Sequence, residues 1–86
     1  MNHMIPYPAK LDNLESGFRL TLLDFDDVYV ESDQLENVIR SAEDTLLRLI
    51  FSRIKESKLI PPPDQYLEIV DEKQVVMIDP MASFTL

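Results

Sequence analysis

Hydrophobic and polar positions alternate most clearly between Phe18 and Leu22: Phe18, Leu20 and Leu22 fall on one side, Arg19 and Thr21 on the other. A period of two is what a half-buried strand requires, because successive side chains leave opposite faces. The same alternation, with β-branched and aromatic residues, returns at Val28-Tyr29-Val30-Glu31. Upstream, the Tyr7-Pro8 step disfavours helix at its first residue, so Tyr7 to Leu11 reads as a short extended segment. Between the first two segments, polar Asn13 to Gly17 reads as a hairpin turn in which Gly17, the only glycine, supplies positive φ. The period then changes. Leu35, Val38, Ile39, Ala42, Leu46, Leu49 and Ile50 recur at spacings of three and four and draw one apolar stripe along a helix near residues 34–57. Asp33 followed by Glu36 is a capping-box pattern for its start, acidic residues lie early and basic residues late as the helix dipole favours, and Pro61 to Pro63 forbid its continuation. Tyr66 to Val70 and Val75 to Ile78 are strand-like, the second more so, and Asp79-Pro80 stops it.

The order is therefore β-β-β-α-β: strands near 7–11, 18–23 and 28–31, a helix near 34–57 and a strand near 75–79. Short connections between the first three strands favour an antiparallel meander, extended by a fourth strand and braced by the helix, an α+β arrangement. Eighty-six residues allow a single hydrophobic core and one domain.

Composition narrows the function more by exclusion than by motif. With no cysteine there is no disulfide, thiolate metal site or thiol nucleophile. No apolar run approaches the ~20 residues of a membrane span, and the N-terminus, with Asn2, His3, Pro6 and Pro8, does not read as a signal peptide, so a cytoplasmic protein is expected. A net charge of -8 disfavours direct nucleic-acid binding, which depends on cations replacing counterions at phosphates, and points to a basic partner or to plain solubility. One glycine cannot make a phosphate loop, and no Gly-x-Ser-x-Gly elbow or second histidine accompanies the serines. His3, alone near the end of the chain, is set aside, and no cofactor is expected.

Two clusters stand out. Asp24, Asp26 and Asp27 form an acidic loop that reads as a solvated turn, as a patch for basic groups of a partner, or as the start of a divalent-cation site in a metal-dependent nuclease. Leu47, Phe51 and Ile54 form a second helical stripe beside the core stripe. It is covered either by the C-terminal segment, through Met77, Met81 and Phe84, or by an oligomer or partner interface.

Taken in order, Tyr7-Pro8-Ala9, Gly17-Phe18, Asp24, then Asp33, Leu35, Glu36, Ala42, Glu43 and Leu46, and Leu59-Ile60-Pro61-Pro62-Pro63 resemble the HicB antitoxin family over roughly residues 7–80. The pattern departs from the family at Leu23, Asp26 and Asp27, where Pro, Pro and Gly are favoured, and at Ser32, where Gly is common. The resemblance implies a partial RNase H-like fold. It also implies that the domain binds and neutralises a HicA-type toxin, a small mRNA-cleaving ribonuclease, and performs no reaction itself. On that reading Asp24, Phe25, Asp26, Asp27 and Glu31 are the toxin-binding candidates, and Leu47, Phe51 and Ile54 the candidate contact of a homodimer or higher oligomer. The DNA-binding domain that many members carry after this one is not expected within these residues. A regulatory or scaffold domain of the same fold is the remaining alternative.

Overall fold

A computed structural model describes residues 6–62 and 74–81. Four strands, β1 (Tyr7–Leu14), β2 (Gly17–Leu22), β3 (Val28–Ser32) and β4 (Val75–Ile78), form one antiparallel sheet in the order β3-β2-β1-β4. The single long helix of the described residues, α1 (Leu35–Lys55), lies between β3 and β4 in the chain. This is the α+β, β-β-β-α-β layout expected from the periodicities.

Register explains the core. Ala9 stands opposite Leu22 and Val76, Leu20 opposite Leu11 and Val30, and Tyr7 opposite Ile78. Because directly paired residues share a face, these side chains make one apolar surface. The helix closes it with Val38, Ala42, Leu46 and Ile50, all buried, while Ile39 and Leu49 pack partly against the same cluster. Each large side chain so removed from water contributes roughly 1.5–3 kcal/mol of burial. Leu35, placed on the core stripe by spacing, opens the helix and remains 41% exposed.

Four local expectations are corrected. The first strand runs on to Leu14, because pairing with β2 extends from Ala9–Leu22 to Leu14–Gly17 whatever the polarity of Asp12 and Asn13. Gly17 has no positive φ; it is required by space, since a Cβ there would collide with the Ser32 carbonyl oxygen and stand 3.0 Å from the Asp33 Cα. The left-handed backbone falls instead on Asp26, Asp27 and Ser57, with φ of 56°, 57° and 59°.

The capping box does not form. Pairing of Ser32 with Phe18 carries β3 one residue further than the box allows, so Gln34 is the N-cap, and no side chain caps the helix. The Gln34 N–H donates to Ser32 Oγ at 3.4 Å, and Ser32 Oγ donates to Asp33 Oδ1 at 3.5 Å, which draws that carboxylate toward Ser32. At the other end, Ser57 N–H donates to the Ile54 carbonyl at 3.1 Å and Lys58 N–H to the Arg53 carbonyl at 2.8 Å. Together with the left-handed Ser57, these bonds make a Schellman stop, two residues before the expected end and ahead of the prolines. The Tyr66 to Val70 run lies outside the described residues.

Candidate functional site

The acidic loop is built from two consecutive turns. Phe25 N–H donates to the Leu22 carbonyl at 3.1 Å, and Val28 N–H to the Phe25 carbonyl at 3.2 Å. The second turn has positive φ at both central residues, Asp26 and Asp27, the mirror-image form whose twist suits an antiparallel pair such as β2 and β3. Aspartate tolerates that backbone better than most residues but less well than glycine. Composition alone shows three carboxylates in a row of four; the double turn deals them to different places.

Asp24 is buried at 6% exposure, and Phe25 is in the core at 1%. The Phe25 ring meets Tyr7 edge-on, centroids 5.1 Å apart at 63°, and the Arg53 guanidinium sits 5.2 Å from its centroid. Arg53 also reaches Asp26 Oδ2 at 3.4 Å and donates to the Leu59 carbonyl at 3.3 Å, while Tyr7 Oη donates to the Pro61 carbonyl at 2.6 Å. Burial pushes the Tyr7 phenol above its ordinary pKa; the Asp24 charge pushes the same way and Arg53 opposes it. Tyr7, the acidic turn, the end of α1 and the Leu59–Pro61 exit thus form one corner, tied by Arg53.

Among the candidate contact residues, then, Phe25 and Asp24 belong to the interior, and Asp26 is exposed but paired with Arg53. Asp27 is exposed at the tip of the turn. Glu31 lies four residues further along β3, about 13 Å away at strand rise. Its Oε2 is held by Arg19 at 2.6 and 2.7 Å, and the same guanidinium lies 4.7 Å from the centre of the Tyr29 ring. Register places Arg19 and Glu31 opposite each other on the sheet face away from α1, with Tyr29 on that face too, 56% exposed. The Arg19–Tyr29 pair was legible in the two alternating strands once their register is known. Arg53 was not: in the chain it is one of several late cations of a helix, and only the fold brings it to Phe25.

The second stripe also divides. Leu47 is buried, at 9% exposure, while Phe51 and Ile54 are 48% and 53% exposed. Met77 and Met81, expected to cover the stripe, are themselves 52% and 38% exposed; Phe84 lies outside the described residues. Glu43 is half-buried, and burial holds its carboxyl above the ordinary range, with Asp79 adding to the shift and Arg40 opposing it.

Among the described residues, no group of three or more His, Cys, Asp or Glu side chains is placed to hold a metal ion, and no helix is long and apolar enough to cross a membrane. His3 lies outside them. Comparison of the chain with protein-family models, curated proteins and solved structures finds no match.

Proposed function

We propose that this chain is an antitoxin-like binding module of HicB type, which neutralises a HicA-type mRNA-cleaving ribonuclease in the cytoplasm by direct contact. The reading is supported by the residue pattern that resembles the family and by a sheet braced by one helix, the layout that resemblance implies.

The observation that carries it is the turn at Asp26 and Asp27. Both residues adopt left-handed backbone, which costs an L-residue roughly 1–2 kcal/mol and which glycine adopts freely. Sparsely populated backbone held in place by surrounding structure is a reason to look for function there. Here the backbone cost goes with two carboxylates that stand at the surface of a chain with net charge -8. A small ribonuclease that grips RNA phosphates is basic where it binds them, and fixed negative charge speeds encounter with such a surface and disfavours wrong partners. The exposed Tyr29 with Arg19 beside it supplies the amphipathic contact type common in interface centres.

Co-expression tests the reading. A HicA-type ribonuclease encoded beside this chain should arrest growth alone and lose that effect with it. Toxicity that persists beside well-expressed, folded protein rejects the proposal.

A further inference from the structure

Among the described residues β3 ends the sheet on one side, and no strand pairs with its outer edge. A free edge offers a row of backbone N–H and C=O groups, which natural sheets shield with lysine, proline, a bulge or an inward-pointing charge. β3 has none of these. Val28-Tyr29-Val30-Glu31-Ser32 contains no Lys or Pro, its register with β2 runs unbroken from Leu22–Val28 to Phe18–Ser32, and its core-face residues are Val28, Val30 and Ser32. The opposite edge strand, β4, is four residues long and is stopped by Asp79-Pro80. The core is also least complete beside β3. Each of the other three strands buries at least one side chain fully, whereas β3 buries none. Val30 packs only partly against the core although it stands opposite the fully buried Leu20, and Ile39 of α1 does the same. An added strand supplies both missing parts: backbone partners for the edge, and alternate apolar side chains laid beside Val28 and Val30.

Charge selects the occupant. Between Arg19 and Arg40 the sequence holds six carboxylates and no Lys or Arg. Three of them bracket the edge: Asp27 immediately before β3, Asp33 immediately after it, and Glu36 in the first turn of α1. All three are exposed and have no ion-pair partner among the described residues. Two copies of β3 paired about a two-fold axis would run antiparallel and set Asp27 of each against Asp33 and Glu36 of the other, so like charges oppose self-pairing. A segment of another protein with Lys or Arg at both ends meets the same carboxylates favourably.

We infer that β3 is a strand-addition edge: an extended segment of the basic partner pairs with it, carrying β-branched or aromatic residues at alternate positions and Lys or Arg at each end. The five residues of β3, at about 3.3 Å each, span roughly 17 Å between the acidic ends, which fixes the length of the paired segment. The inference rests on the toxin-binding reading for the identity of that partner and adds how it is held. Backbone pairing supplies the affinity, and the flanking carboxylates set the register.

Nuclear magnetic resonance titration of the full chain with a synthetic peptide, Lys-Arg-Val-Thr-Val-Tyr-Val-Arg-Lys, tests this without toxin. The backbone amides of Val28 to Ser32 should shift and gain protection from hydrogen exchange, and binding should weaken as salt is raised. Successive N–H groups of a strand point to opposite edges, so N-methylation of alternate central residues should abolish binding in one of the two possible sets and spare it in the other. Asp33→Lys and Glu36→Lys, exposed changes outside the core, should each raise the dissociation constant about threefold. A peptide that shifts no β3 amide at millimolar concentration, or that binds equally in both methylated forms, overturns the inference. Rescue from the toxin in cells is read separately. Rescue without strand addition sinks this inference alone, and strand addition without rescue sinks the toxin reading alone.

Discussion

Phe25→Ala separates two roles that one residue could play in the acidic loop. Phe25 is 1% exposed, its ring is edge-on to Tyr7 at 5.1 Å, and Arg53 lies over it at 5.2 Å. Truncating a buried phenylalanine costs about 3–5 kcal/mol, the loss of its burial and the cavity left behind together. At roughly 0.05–0.15 kcal/mol per residue, a chain of 86 residues has about 4–13 kcal/mol in total, so the variant surrenders roughly a quarter of it or more. Urea unfolding, followed by circular dichroism and by the three tyrosines, should show a midpoint lowered by about 3–5 M for a slope near 1 kcal/mol per M. Phe25→Leu keeps most of the volume and should lose less than about 1.5 kcal/mol. If Phe25→Ala unfolded at the wild-type midpoint but failed to bind a partner, Phe25 would be a contact residue and the assignment to the core would be wrong.

Other outcomes follow from the same geometry. Gly17→Ala should destabilise by about 1–3 kcal/mol in the same urea assay, because the new methyl meets the backbone of Ser32 and Asp33 rather than a side chain that can move. Ser57→Gly should stabilise by about 1 kcal/mol, since φ of 59° is strained for serine and free for glycine, while both Schellman hydrogen bonds are kept. Tyr7 binds its proton more tightly folded than unfolded, so the stability it contributes is fully present below the unfolded pKa near 10 and falls as pH rises through the higher folded value. Tyr7→Phe should cost about 0.5–1.5 kcal/mol at neutral pH, from the lost bond to the Pro61 carbonyl, and should flatten that alkaline limb in unfolding measured between pH 8 and 11.

The alternation at Phe18 to Leu22 and the spacing from Val38 to Ile50 made the sheet-and-helix architecture legible, because burial of one face imposes its period on any sequence that folds this way. Local chemistry was less so. A capping box depends on where β3 stops, and β3 stops where Ser32 pairs with Phe18 across the sheet. The only glycine answered to a clash between strands, while positive φ fell on Asp26 and Asp27, read from sequence as an acidic contact loop, and on Ser57, read as the last residue of the helix. The candidate site was legible as a run of acids but not as a shape: a double turn sends Phe25 inward, buries Asp24 and leaves Asp27 outside, and Arg53 arrives from a segment 26 positions beyond Asp27.

The central claim, that this chain acts by binding a basic ribonuclease, is tested most directly by titration calorimetry with a purified HicA-type toxin at two salt concentrations. The account predicts a saturable, nanomolar-class association that weakens as salt is raised and weakens further in Asp27→Lys. Absence of heat and of any co-migrating complex between two folded proteins at micromolar concentration would contradict it.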